Sequence, residues 1–426
     1  MERYSEYKDS GVQWLGEIPG HWERTKVSRL FKQIGSGTTP SSGDASLYAD
    51  KGTPWLQSGD FNNNEINSTS KFITDKALDN YCLKLYKPGS IVIAMYGASI
   101  GKVGLLNIAT TVNQACCVLS DSDHLLQKYA FYVFVNEKEN LIKKSKGGTQ
   151  PNISQEIIKS HYIPLPPLSE QRSIVSYLDD KCGKIDKMLE GKQKQIELLA
   201  EMKQRIIADA VTRGLNPNVK MKATNNICLG EVPMHWDVMR YGTLFKLKPV
   251  KPHHGEELLS VFLNFGVIRA AESDKRTHAA SEDLSKYQLV EPTDFVMNNQ
   301  QAWRGSVGVS KLTGIISPAY HIFKMPNCFD SEYANYLLRS KAIVGQFEIS
   351  SRGVGSIQRT LNFSWLNNRK IPVPPLSEQL AIVSFINEKV EKIDTLTSKL
   401  QQEIESIKEY KQRLISDVVT GQIKVC

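Results

Sequence analysis

The chain has 426 residues, 41% hydrophobic and 23% charged, which is enough for two or three domains with cores of their own. No apolar stretch approaches the ~20 residues that cross a bilayer, and the opening MERYSEYKDS is charged from its second residue, so a soluble, cytoplasmic chain without signal peptide or membrane segment is expected. Seven scattered cysteines without a Cys-x-x-Cys pair argue against a disulfide framework or a zinc site, and the net charge of +8 is compatible with a polyanionic partner.

In chain order, the first distinctive element is LGEIPGHW (15–22), followed by Leu30, Phe31 and Lys32. GSGTTP (35–40) reads as a small polar loop. PGSIVIAM (88–95) reads as a turn entering a buried strand, YGASIGK (96–102) as the loop after it, and GKVGLL (101–106) as the next strand. Residues 123–142 have helical spacing through Leu125, Tyr129, Tyr132 and Val133, and the basic loop KKSKGGTQPN (143–152) follows. A proline hinge, IPLPPLSEQRSIVS (163–176), then leads into a long tail.

From residue 229 the same text returns as LGEVPMHW (229–236), Leu244-Phe245-Lys246, PTDFVM (292–297), GSVGVS (305–310), a helical stretch at 330–348, and IPVPPLSEQLAIVS (371–384). The match runs on to KQRIIADAVT (203–212) against KQRLISDVVT (411–420). Self-similarity of this period means one supersecondary plan used twice. Each copy is a mixed α/β globular part, a proline hinge and a tail. The globular frames align at an offset of 204 but diverge between, for example at 53–73 against 257–277.

Both tails are expected to be long helices. The hinge prolines forbid helix just before them, Ser169 and Ser377 are placed to cap, and Glu170 and Glu378 put a carboxylate in the first turn against the helix dipole. In the second tail Ile386, Ile393, Leu400, Ile407 and Leu414 recur every seven residues with Val390, Thr397, Ile404, Lys411 and Val418 interleaved. The first carries Leu178, Ile185, Lys192, Leu199 and Ile206, with Cys182, Leu189, Ile196, Lys203 and Ala210 interleaved. Sustained over four heptads, this is a coiled-coil seam. An amphipathic helix lying on its own domain is the plainer alternative, but the near balance of charge (9 basic and 8 acidic residues in 169–213, 7 and 8 in 371–426) favours the seam. Gly214 with Pro217 behind it should stop the first helix. At about 1.5 Å per residue each helix advances roughly 65 Å, so pairing with each other would require antiparallel helices with a globular part near each end. The expected segments are 1–165, 166–214, 215–373 and 374–426.

The basic surplus lies in the globular parts, with 18 basic and 16 acidic residues in 1–160 but 19 and 13 in 217–370. Five loops there combine glycine, small polar and basic residues: 35–40, 96–102, 143–152, 303–306 and 351–359. Glycine lets a backbone approach a phosphate, Lys and Arg neutralise it, and Gln, Asn and Arg bond base edges in pairs. The candidate DNA contacts are therefore Ser36, Thr38, Thr39, Lys102, Lys143, Lys144, Lys146, Gln150 and Asn152 in the first copy, and Arg304, Arg352, Gln358 and Arg359 in the second. Singly, each loop is an ordinary solvated turn; their matching places in two copies give them weight.

Catalytic patterns are missing. GASIGKV lacks a nucleotide-binding loop's leading glycine, since Tyr96 stands there, and Val103 replaces the metal-binding hydroxyl. LPPL (165–168) and VPPL (373–376) lack the polar and aromatic flanks that hold a flipped adenine, and no glycine-rich methyl-donor loop is present. His253-His254 is followed by Gly255-Glu256 without zinc-site spacing, and His21 and His235, beside Trp22 and Trp236, read as packing corners.

The repeated opening motif, the I-P-x-P-P-L-S-E-Q hinge with its long helix, and the duplicated globular part together resemble the specificity subunit of a type I restriction-modification enzyme, over essentially the whole chain. That resemblance implies two α/β target-recognition domains separated by two antiparallel coiled-coil helices. It also implies a non-catalytic chain that reads two halves of a split, asymmetric sequence in double-stranded DNA. Two modification subunits would methylate adenine and a motor-nuclease restriction subunit would complete the complex, with S-adenosylmethionine, ATP and Mg on those partners and none here. The alternative from another class is a coiled-coil adaptor whose end domains bind proteins.

Overall fold

The computed structural model describes residues 2–145, 151–249, 253, 255–263, 265–272, 284, 286–354 and 358–425. These form two compact units, one of residues 1–192 with 402–426 and one of residues 193–401. Among the described residues no helix is long and apolar enough to cross a membrane.

The first unit is built on a five-stranded sheet in the order Gln33–Ser36, Cys116–Ser120, Ile91–Ala94, Val103–Leu106, Asn64–Ile66. All its pairings are antiparallel except the last. Its central strands are fully buried because both faces are covered, and alternation of side chains decides what covers which. Ile91, Ile93, Val103 and Leu119 pack with Tyr129, Val133 and Phe134 of the helix Gln127–Lys143. Val92, Ala94, Leu106 and Val118 pack instead with Leu56, Phe61, Ile66 and Val112. A four-stranded sheet, ordered Thr111–Val112, Thr53–Leu56, Lys71–Ile73, Tyr48–Ala49, completes the unit.

The second unit repeats the frame. Its sheet runs Lys246–Leu247, Tyr320–Lys324, Phe295–Asn298, Val307–Val309, and the last three strands sit 204 residues beyond their counterparts. Phe295, Met297, Val307 and Phe323 face Tyr333 and Leu337, while Val296 and Ile322 face Leu259, Val261 and Ile316. The expected helix at 330–348 is two helices, Ser331–Leu338 and Lys341–Ile349, because Ser340 is extended (φ −65°, ψ 151°). Arg339 at the break donates from Nη2 to the Leu263 carbonyl at 3.1 Å. The divergent segments also differ in kind: strands Thr53–Leu56, Asn64–Ile66 and Lys71–Ile73 in the first unit are answered by a hairpin of Leu259–Phe262 and Gly266–Arg269.

The two tails are helices Leu168–Arg213 and Leu376–Val419. Each begins directly after a proline, Pro167 or Pro375, so Ser169 and Ser377 lie inside the first turn and do not cap it. Gly214, with φ +73° and its N–H bonded to the Ala210 carbonyl, ends the first. Both units contain the start of one helix and the end of the other. In the first unit Leu178 and Cys182 share a core with Leu414 and Val418, and Ile185 packs against it. In the second, Ala210 and Val211 share a core with Ile382 and Ile386, with Ile207 and Val390 against it. Of the seam residues, Leu178, Ile386, Ile393, Leu400, Ile404 and Leu414 are buried, and Ile185, Leu189, Ile196, Leu199, Ile206 and Ile407 are half-buried.

The lysines that interrupt the seam find carboxylates on the opposite helix. Lys411 Nζ is 2.5 Å from Asp186 Oδ1 and Lys192 pairs with Glu403 in the first unit, so one helix advances as the other recedes. Lys203 Nζ is 2.7 Å from Asp394 Oδ1 in the second. Lys203 and Lys411 occupy equivalent repeat positions, as do Asp186 and Asp394.

The opening motif anchors each helix start. Trp22 Nε1–H donates to Glu170 Oε2 at 2.8 Å, His21 Nε2 lies 2.6 Å from Oε1, and Tyr4 donates at 3.0 Å. Trp236 and His235 hold Glu378 alike, at 2.8 and 2.5 Å. Burial alone would raise the Glu170 carboxyl, but the bonds from Trp22, His21 and Tyr4 together outweigh it and hold it below the ordinary glutamate value. The neighbouring glutamines are buried and join helix to domain: Gln171 bonds the His124 and Pro166 carbonyls and the Leu126 N–H, and Gln379 the Cys328 and Pro374 carbonyls and the Asp330 N–H.

Candidate nucleic-acid interface

In the first unit, register places several candidate loops at one end of the main sheet. Ser36 opposes Cys117, Cys117 opposes Ile93, and Ile93 opposes Val103, so 37–40, 95–102 and 113–115 all emerge together. Gly37 belongs to a true close approach: a Cβ there would lie 1.6 Å from the Val112 carbonyl oxygen. Thr39 bonds Gln114, Thr38 is exposed, and its carbonyl accepts from Trp55 Nε1 at 3.3 Å. Gln155 Nε2 donates to Ser36 Oγ at 2.9 Å, and Ile153 N donates to the Met95 carbonyl at 2.8 Å, which brings exposed Asn152 to the same end.

Lys102 sits half-buried on the turn between strands, next to Gly101, where a Cβ would meet Lys138 Cγ of the helix Gln127–Lys143 at 2.7 Å. Lys143 is exposed. Lys144 is exposed too, with its Nζ 3.3 Å from Nδ1 of the buried His161, whose Nε2 lies 2.9 Å from Glu137 Oε2 and whose imidazole stacks on Trp14. Burial pushes the Glu137 carboxyl up more than its bonds from His161, Asn140 and Asn136 draw it down. Lys146 and Gln150 lie outside the described residues, and of Gln358 only the backbone is described.

The second unit brings its arginines onto two tryptophans. A short turn, Ala302–Arg304, closes on Gly305 at φ +98° and carries Trp303. The guanidinium carbons of Arg304 and Arg359 each lie 4.8 Å from the Trp303 ring centroid. Arg352 lies 4.4 Å from the ring of Trp365, itself 40% exposed. Arg352 and Arg359 stand on the two strands of an antiparallel ribbon, Ser351–Val354 and Gln358–Leu361, with Arg352 opposite Thr360 and Gly353 opposite Arg359. Glu348 Oε1 is 3.4 Å from Arg359. The turn Ala302–Arg304 and the strand Gln358–Leu361, separate in the sequence, therefore meet at Trp303. Neither tryptophan was a candidate from the sequence, although Trp303 stands beside Arg304 in WRGS; Trp365 gave no such signal.

This arrangement offers hydrogen-bonding groups and cations on exposed and half-buried turns and strands of each unit. Among the described residues no group of three or more His, Cys, Asp and Glu side chains could hold a metal ion.

Comparison with known proteins gives concordant matches. The type I restriction modification DNA specificity domain matches residues 19–198 and 302–406. The type I restriction enzyme MjaVIII specificity subunit of Methanocaldococcus jannaschii is 25% identical over 100% of this chain and 98% of its own length. The EcoR124I/EcoR124II specificity subunit of Escherichia coli is 26% identical over 46% of this chain and 49% of its own. Among solved structures, a chain from work on complex assembly and conformational transition of the type I R-M system superposes with a TM-score of 0.67 at 16% identity, covering 95% of this chain and 99% of that one, which is a likeness of fold.

Proposed function

The chain belongs to the type I restriction-modification DNA specificity family, and from that membership we propose that its two units each read one half of a split, asymmetric target in double-stranded DNA. The observation that carries this is the repeated frame with unlike loops. Both units present a turn from the same end of equivalent strands, yet the first carries Lys102 there and the second carries Trp303 and Arg304. A shared scaffold with different side chains at its reading edge suits two different short targets, because phosphate contacts fix register while base contacts specify.

In this reading Ser36, Thr38, Thr39, Lys102, Lys143, Lys144, Asn152 and the three arginines contact DNA. The paired helices hold two modification subunits, which methylate adenine with S-adenosylmethionine; restriction subunits use ATP and Mg. The chain selects the site and its partners do the chemistry, in keeping with relatives named as specificity subunits.

Methylation sequencing of cells that carry a modification subunit, with and without this chain, tests the proposal. A split adenine motif should appear only with the chain, and exchanging residues 1–160 for those of a relative should change one half of it. Methylation or cleavage by the purified chain alone, or a chimera that altered both halves, would overturn it.

A further inference from the structure

We propose that Arg352 and Arg359 read guanines, so that the half-target of the second unit contains guanine at the positions these residues reach; this rests on the reading that the second unit contacts one half of a DNA target. Three observations carry it. The first is chemical type. Every basic candidate on the loops of the first unit is a lysine, and every one on the turn and ribbon of the second is an arginine. A lysine neutralises a phosphate as a point charge, whereas a guanidinium presents a rigid planar fork that matches the O6 and N7 acceptors of guanine in the major groove.

The second observation is the ring beneath each fork. Arg352 lies over Trp365 and Arg359 over Trp303, at 4.4 and 4.8 Å. Contact with a phosphate needs no such plate. Stacking on indole orients the guanidinium before DNA arrives, which reduces the ordering cost of a two-bond contact. Among the described residues Arg352 has no acidic partner within 4 Å, whereas Arg359 donates from Nη1 to Glu348 Oε1 at 3.4 Å and shares the Trp303 ring with Arg304.

The third is the carrier. The two arginines lie on adjacent strands of a two-stranded ribbon, Ser351–Val354 and Gln358–Leu361. Arg352 pairs with Thr360 and not with Arg359, so their side chains leave opposite faces, which is why each meets a different tryptophan. The turn of the first unit that corresponds to Trp303-Arg304 holds Ser99-Ile100, so this device belongs to the second unit.

The test uses the chain assembled with its modification subunits, once methylation sequencing has given the target. Each guanine of the second half-site is replaced in turn by 7-deazaguanine, which keeps base pairing and removes the N7 acceptor. The wild-type complex should lose about tenfold or more in affinity at a contacted guanine. R352K and R359K retain the charge and lose the fork: each should abolish the penalty at one guanine while changing affinity for unrelated DNA less than twofold. W365L should weaken the penalty assigned to Arg352, with melting temperature confirming that the variant folds. A second half-site without guanine, or lysine variants that keep every penalty while alanine variants weaken all DNA equally, would overturn the inference and leave the general reading intact. A complex with no sequence preference would overturn both.

Discussion

Trp236 stands to Glu378 as Trp22 stands to Glu170, with an indole N–H 2.8 Å from the carboxylate in each case. The motif that opens each globular part thus holds the first turn of the helix that closes it, some 140 residues later. A carboxylate here does two things. It complements the helix dipole and it ends the desolvation of a fully buried indole, as Trp22 and Trp236 are both 0% exposed.

The first prediction concerns Glu170. A hydrogen bond to an ionised group contributes about 1.5–3 kcal/mol, so E170Q should lower the stability of the first unit by that order in urea melts at pH 7. The folded carboxyl sits below its unfolded value. Its contribution is therefore fully present above the ordinary glutamate range and is lost as pH falls through the lower folded value. The gap between wild type and E170Q should narrow on acidification below about pH 4, near the ordinary glutamate pKa. A gap that stays constant down to pH 3 would mean that the anchor does not depend on the charge.

A second prediction separates the seam lysines from their partners. Lys203 is 29% exposed and Asp394 56%, so the pair is worth little by itself. Removing the carboxylate leaves a half-buried ammonium unpaired, and D394A should cost about 1 kcal/mol. K203M should be neutral or stabilising, because an apolar residue suits the seam. Thermal melting of both variants and of D186A, the equivalent in the first unit, checks this. Equal losses from K203M and D394A would show that the pair stabilises through attraction and not through satisfaction of the lysine.

The third prediction concerns helix length. If the long helices set the unread spacer of the target, one heptad added to each, near Lys192 and Leu400, keeps the seam in register and adds ~10 Å. With DNA rising ~3.4 Å per base pair this is about three extra pairs, together with a rotation of roughly a third of a turn. The variant should lose its original site, and it should either methylate the same half-sites across a longer gap or be inactive. Methylation sequencing reads the outcome. An active variant with the original spacer would show that the helices are not the ruler.

Features carried by short-range periodicity were legible in the sequence. The duplication, the buried strands at 88–95 and 292–297, the two long helices and the stop at Gly214 all follow from local patterns, because a heptad, a proline or a glycine acts on its immediate neighbours. The small shift at Ser169 and the broken helix at Ser340 mark where local propensity yielded to tertiary demand: the helix starts straight from Pro167, and Arg339 turns away to bond Leu263.

What the sequence could not decide depends on partners far along the chain. The heptad placed Lys192, Lys203 and Lys411 in the seam, but only the fold shows Glu403, Asp394 and Asp186 opposite them. Lys144 is exposed, and only folding shows that its Nζ lies 3.3 Å from the buried His161 imidazole. The candidate surface of the second unit exists only because folding lays Arg359 on Trp303, 56 positions earlier, and no spacing rule connects residues on a sheet turn and on a distant ribbon. Composition and period therefore determined the elements and their repetition, since those are properties of neighbours. Tertiary structure alone decided which cations gather, on which rings and at which end of the sheet, since side-chain pairing across strands and helices is fixed by register and packing.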